Sequence, residues 1–385
     1  MLKLIFSPRA TGAPDSSGWR QAVDRLLDGE GNLLQPLPRP HDPYTAPPPL
    51  PETPLRSAVA RWAPPSRHVT VLVHGFEFNP VPDENPAPAD NPFNRVYALP
   101  NAEFPGHPGE SWFHIADEPT SVAFAWKSTG SFLEYADACW AEFYAYALCD
   151  LAPLAARALA AVLAACAGAG LTVDILAHSL GSRTSVKALG LLAATQRAAV
   201  RRCLFMEGAE YCVDARDVAG RVGTEFTSIG NRADPVLAQL AGSFGDPQRL
   251  PNSIPSMVVG RSGVDRLTNW LDIELDPADP ARLAAFRSFF GARGLSPTGA
   301  PFQDRGQHWS CYLWPENQKM LRRMLYEPGY SIAALRSAGV PEGVQDEIPG
   351  RFANVPIPGL LATCLERQAA TQVEAGHSPD GPAMA

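Results

Sequence analysis

Five short runs of nearly unbroken hydrophobicity constrain this chain more than anything else in it. They are Val69-Thr-Val-Leu-Val73, Ser121-Val-Ala-Phe-Ala-Trp126, Thr172-Val-Asp-Ile-Leu176, Cys203-Leu-Phe-Met206 and Glu225-Phe-Thr-Ser-Ile229. A strand with one wet face alternates polar and apolar residues, whereas continuous runs of this length belong to strands covered on both faces, as in a parallel sheet. Helical stretches separate the runs. Residues 131–165 read as one or two helices broken near Pro153, and residues 182–196 as another, with later helices over 282–290 and 317–326. Strand–helix alternation predicts an α/β fold, a mostly parallel central sheet flanked by helices and joined by right-handed crossovers.

The 39 prolines are about twice average usage, and they are clustered. Residues 36–65 and 80–108 are proline-dense and are expected to be irregular. The first tract links residues 1–66, an N-terminal extension with a short strand (2–6) and a helix (19–27), to the main body at 67–330. The second lies in an insert at 77–118, where the helix between two strands would otherwise stand. This lid-like excursion carries Phe93, Tyr97, Phe104, Trp112 and Phe113 near the sheet's carboxyl end, where open α/β sheets bind ligands. These aromatics either wall a pocket or pin the loop to the body. A second insert at 251–305 adds Trp270, Phe286, Phe289 and Phe290 and is expected to complete the pocket. Residues 331–385 form a C-terminal extension whose end, small and polar from about Gln368, reads as a disordered tail.

A net charge of −8 with scattered Lys and Arg argues against nucleic acid or an anionic membrane surface as partner. No apolar stretch is long enough for a transmembrane helix, and the start is too short in apolar residues for a secretory signal. The seven cysteines show no metal-like spacing. Pairing of Cys203 with Cys212, or of Cys139 with Cys149, is conceivable, but buried free thiols in a cytoplasmic protein are the expectation. Asp83, Glu84 and Asp90 are read as solvated loop carboxylates rather than calcium ligands.

Candidate chemistry begins at Ala177-His-Ser179-Leu-Gly181, between a buried strand and a helix. Small residues two before and two after the serine let strand and helix pack closely, so that the sharp turn holds the hydroxyl out at the sheet's end. The bland alternative is a Ser N-cap. Upstream, His74-Gly-Phe76 follows another buried strand. Gly75 permits a sharp turn, and the motif resembles the oxyanion-hole loop of α/β-hydrolases, which implies that the Phe76 and Leu180 N–H groups converge on one oxygen, while His74 is expected to order that loop and stand near the substrate. Downstream, Asp234 precedes Pro235 after the fifth run. Glu207, Glu210 and Asp214 are the competing acids. His308, in Gln307-His-Trp-Ser310, is the candidate base, and His178 is assigned to packing, pointing away from the serine. In the order Ser179, Asp234, His308, the hydroxyl is the nucleophile, the imidazole takes its proton and the carboxylate orients the imidazole.

These residues resemble the α/β-hydrolase superfamily over roughly residues 69–327. The segment Phe124-Ala-Trp-Lys-Ser-Thr-Gly130 with Asp174-Ile-Leu-Ala-His-Ser-Leu-Gly181 is similar to an uncharacterised bacterial group with a Trp-Pro-Ser-x-Gly segment, although Lys127 stands where proline is usual. The resemblance implies a serine hydrolase, an esterase or lipase-like enzyme acting on a small-molecule ester or acyl substrate through an acyl-enzyme, without metal or cofactor. Phe93, Tyr97, Trp112, Trp126 and Trp309 join His74 as candidate substrate-binding residues. A serine peptidase or acyltransferase would use the same triad. The competitor from another class is a catalytically silent hydrolase-like binding module, which would be expected to have dropped one of these parts.

Overall fold

The computed structural model describes residues 1–8, 23–38, 54–81, 87–99, 110–128, 147–230, 234, 236–237, 267–275, 280–302 and 308–341. Among these residues nine strands form one sheet: β1 (Leu2–Ser7), β2 (Val23–Asp28), β3 (Leu33–Pro38), β4 (His68–Val73), β5 (Ser121–Trp126), β6 (Thr172–His178), β7 (Val200–Met206), β8 (Glu225–Gly230) and β9 (Trp270–Glu274). Their spatial order is β3-β2-β1-β5-β4-β6-β7-β8-β9. All neighbours from β1 to β9 pair in parallel, and only the β1–β2–β3 meander is antiparallel. The chain thus has an α/β architecture with a largely parallel sheet, and all five hydrophobic runs are strands in it.

Each face of the sheet is covered. On one side β4, β5 and β6 turn Val71, Val73, Val122, Phe124, Val173 and Ile175 toward helices α1 (Pro54–Trp62), α2 (Ala152–Gly168) and α3 (Leu180–Leu191). Helix α2 is alanine-rich and buried around most of its circumference, as a helix in a layer's middle must be. A π-helical turn over Ala147–Leu151 gives way to α2 at Ala152, so the change of helix type falls beside Pro153, as expected, and Pro153 stands in the first turn of the α-helix, where a missing N–H costs little. Of the helices expected over 131–165, residues 131–146 lie outside the described residues. On the other face Leu72, Ala123, Leu176, Leu204, Ile229 and Leu271 pack on helices α5 (Pro280–Gly291) and α6 (Pro315–Tyr326), with Phe286, Phe290, Met320 and Leu321 fully buried. Helix α4 (Cys212–Gly220) follows β7.

Three expectations are corrected. The helix read over residues 19–27 is, where described, strand β2. Its Leu26 and Leu27 pair with Phe6 and Ile5 of β1, and this pairing outweighs a local sequence with little β preference. The tract at 36–65 is not wholly irregular, since it ends β3 and contains α1 with Pro54 as its first residue. The segment at 251–305 is no mere insert. It supplies β9, paired to β8, and α5. Trp270 stacks on Phe226 with ring centroids 4.9 Å apart, so its aromatic residues serve the core. The insert at 77–118 holds only isolated 3-10 turns among its described residues, as its prolines dictate. The C-terminal tail from about Gln368 lies outside the described residues.

Candidate active site

Ser179 stands between β6 and α3 with φ 52° and ψ −126°. A side chain at positive φ strains the backbone by about 1–3 kcal/mol, so the surroundings must impose it. They do so through hydrogen bonds to the end of β7 and the residues after it: Ser179 N–H donates to the Met206 carbonyl (3.0 Å), and the Ser179 carbonyl accepts from Ala209 N–H (3.0 Å). Two glycines make the junction possible. A methyl group on Gly181 would lie 2.2 Å from the Val73 carbonyl oxygen, and one on Gly75 would lie 2.7 Å from the Ser179 Cβ. Helix α3 therefore lies directly against the end of β4, and the His74-Gly75-Phe76 turn lies directly against the serine.

That turn is held from beneath. The Tyr97 hydroxyl accepts from the His74 N–H (2.8 Å) and lies within hydrogen-bonding distance of the carbonyls of Leu72 (2.9 Å) and Phe124 (3.0 Å). The His74 ring lies flat on Trp126. Its Nε2 accepts from the Trp126 N–H (3.0 Å), which leaves the proton on Nδ1 for the Gly75 carbonyl (2.9 Å), while the indole N–H donates to the His74 carbonyl (3.0 Å). Burial pushes the His74 pKa down to about 3, in keeping with a neutral ring. Beyond the turn, Phe78 and Ser128 exchange hydrogen bonds. The Trp126-Lys-Ser128 segment thus clasps the loop that carries Phe76.

Opposite Ser179 stands His308, at the head of a one-turn helix over Ser310–Leu313. Its Nδ1 is 2.6 Å from Asp234 Oδ2. Asp234 is fully buried after β8, and its other oxygen accepts from the Val236 (2.8 Å) and Leu237 (3.1 Å) N–H groups, so both oxygens are fixed. The competing acids are engaged elsewhere: Glu210 pairs with Arg183 in the core and Asp214 with Lys187 (2.8 Å). Glu207, at φ 45°, donates its N–H to the Ile229 carbonyl (2.9 Å).

Ser179 and His308 line one pocket together with His74, Gly75, Phe76, Glu77, Phe78, Val96, Trp112, His178, Val236, Trp309 and Tyr312. Among the described residues no hydrogen bond joins the Ser179 hydroxyl to His308, whose Nδ1 is taken by Asp234; such contacts often tighten only when substrate binds. Of the residues expected to meet a substrate, His74, Trp112 and Trp309 are in this wall. Phe93, Tyr97 and Trp126 are not: Phe93 lies beneath the Lys3 ammonium, and Tyr97 and Trp126 hold the loop from behind. Leu180, the first residue of α3, has an N–H of the kind that finds no partner within a helix. The expectation for His178 is corrected. It packs against the rings of Tyr312 and His308, 4.6 Å from the latter, but it also lines the pocket, which its assignment to packing alone did not include. Phe78, Val96 and Tyr312 were not foreseen. Cys166, Cys203 and Cys311 are buried free thiols. Among the described residues no helix is long and apolar enough to cross a membrane, and no cluster of three or more metal-ligating side chains occurs.

What fold and site define together is an α/β protein with a pocket at the carboxyl edge of its parallel sheet. Compared with protein-family models, with curated proteins and with solved structures, the chain matches none.

Proposed function

We propose that this protein is a serine hydrolase of the α/β-hydrolase fold that cleaves a carboxylic ester through an acyl-enzyme. The observation that carries the reading is a strained serine facing the same pocket as a histidine whose Nδ1 is held by a buried carboxylate. The Ser179 hydroxyl attacks the ester carbonyl carbon and passes its proton to His308 Nε2. Asp234 holds the imidazole in the tautomer that leaves Nε2 free to accept and balances the imidazolium that forms. Negative charge gathers on the former carbonyl oxygen, where the Phe76 and Leu180 N–H groups and the positive end of α3 meet it; one such donor is typically worth roughly 3 kcal/mol. The tetrahedral species collapses, the alcohol leaves with the proton from His308, and water repeats the sequence to release the acid.

The wall narrows the substrate. Rings of Phe76, Phe78, Trp112, Trp309 and Tyr312 dominate its described lining, in which Glu77 is the one carboxylic side chain. Such a surface favours an uncharged ester with an apolar or aromatic portion, and a carboxylate beside the mouth disfavours anionic substrates. Treatment with a fluorophosphonate followed by mass spectrometry is expected to place one adduct on the Ser179 peptide. Ser179→Ala is expected to abolish labelling and to lower turnover of p-nitrophenyl esters by about 10⁴ to 10⁶. Labelling elsewhere, or none of the folded protein, would sink the proposal.

A further inference from the structure

The residue beside the serine does more than fill space. The His178 Nε2 lies 3.0 Å from the backbone carbonyl of His308, 130 residues away in the chain. A carbonyl oxygen can only accept, so Nε2 carries the ring proton and donates it. The ring is buried, set edge-on to Tyr312 at 5.0 Å and tilted by 56° to the His308 ring. Burial and the neighbouring His308 push its pKa well below the ordinary histidine value. His178 is therefore neutral, and an imidazolium forming on His308 meets no second positive charge beside it.

We propose that His178 is a positioning residue that holds the backbone of His308 in place opposite Ser179. The inference rests on the serine hydrolase reading. Asp234 controls the rotation of the His308 ring through Nδ1 but has no grip on the backbone that carries the ring. His178 supplies that grip from the residue covalently joined to the nucleophile. One peptide link and one hydrogen bond thus connect Ser179 to His308, although the two stand on different elements. Near-attack geometry is steep in distance, so slack of about 1 Å costs on the order of 10²-fold in rate.

The test compares three variants of the full-length protein. His178→Gln keeps an N–H donor at the reach of Nε2. His178→Asn places it at the reach of Nδ1, too short for the His308 carbonyl, and His178→Phe keeps a ring without a donor. The readouts are kcat and KM for a p-nitrophenyl ester, the rate of fluorophosphonate labelling, and the low-field proton resonance of the hydrogen bond between His308 and Asp234, each on protein shown by thermal unfolding to be folded. The Asn and Phe variants are expected to lose about 10- to 100-fold in kcat and in labelling rate with KM nearly unchanged, and to broaden the resonance, whereas the Gln variant is expected to restore both. Should the Phe variant not fold, Asn against Gln decides, since the two differ by one methylene. Wild-type rates and resonance in the Asn variant, or a Gln variant as impaired as Asn, would overturn the proposal. A wild-type protein that neither turns over esters nor takes the label would instead remove the hydrolase reading, and the resonance alone would then report whether His178 holds His308.

Discussion

At the scale of single residues, the site depends on groups whose hydrogen bonds admit one protonation pattern. Asp234 is one. Asp234→Asn keeps the size of the side chain and lets its amide N–H₂ face His308 Nδ1, which favours the wrong imidazole tautomer. Turnover is expected to fall by roughly 10⁴ with thermal unfolding little changed, measured on the same p-nitrophenyl esters. A nearly silent substitution would assign the orienting role elsewhere, Glu207 being one of the competing acids. His74 is another. Its pKa falls from 6.5 to about 3 in the fold, so between those values the unfolded chain binds a proton that the native protein refuses. The stability tied to His74 is then intact above about pH 6.5 and declines as pH falls, by about 1.4 kcal/mol per pH unit, with the downward shift of His178 acting in the same direction. Urea midpoints measured between about pH 7 and pH 5 are expected to show this slope. His74→Gln, which keeps an acceptor for the Trp126 N–H, is expected to flatten it, and an equal slope in that variant would mean that other groups govern acid unfolding.

At the scale of elements, the junction of β6 and α3 is where sequence and structure agree most closely. The continuous hydrophobicity of β6 and the glycine two residues after Ser179 mark it, and the structure gives the reason for that glycine: a carbonyl of β4 occupies the space of any side chain. Gly181→Ala must push the helix off the strand, and it is expected to destabilise the protein by about 3 kcal/mol or more and to lower the rate of Ser179 labelling. Unfolding and labelling like those of the wild type would show that α3 has room the geometry denies it. Other elements were less legible, for physical reasons. In β2, Asp24, Arg25 and Asp28 flank Leu26 and Leu27 without alternation, so only the pairing with β1 makes it a strand. In β9, Asp272 and Glu274 interrupt the apolar run, yet they are buried because the Trp270 indole N–H and Arg282 hold them. For Tyr97 the sequence leaves pocket wall and loop anchor as alternatives, and the structure makes it an anchor; Trp126 reads only as a substrate-binding candidate, because a ring that walls a pocket and a ring that props its loop are the same letter in a sequence. The Asp234–His308 pair is anticipated from chain order together with the family resemblance, but order alone leaves Glu207, Glu210 and Asp214 as competing acids, and only the folded geometry puts Asp234 2.6 Å from the His308 ring.

At the scale of the whole molecule, the site sits over the middle of the parallel region among the described residues. Ser179 follows β6, flanked in the sheet by β4, which leads into the Phe76 loop, and Asp234 follows β8, two strands further on, while β2 and β3 extend the sheet beyond β1, away from the pocket. That extension ends in a strand carrying Pro36 and Pro38, two residues apart and therefore in the same phase of the pleat. Neither has an N–H to give, and prolines are confined to such outer positions in sheets. Replacing both with threonine is expected to raise self-association, read by light scattering as the protein is concentrated, with the esterase rate per chain unchanged. Equal scattering from both proteins would mean that something other than the prolines guards this side. A ladder of parallel strands has no internal rule for where to stop, since each new strand leaves a row of donors as inviting as the last. In β3 the two prolines take donors out of that row, so this end of the sheet is expected to resist pairing with a second copy of the chain.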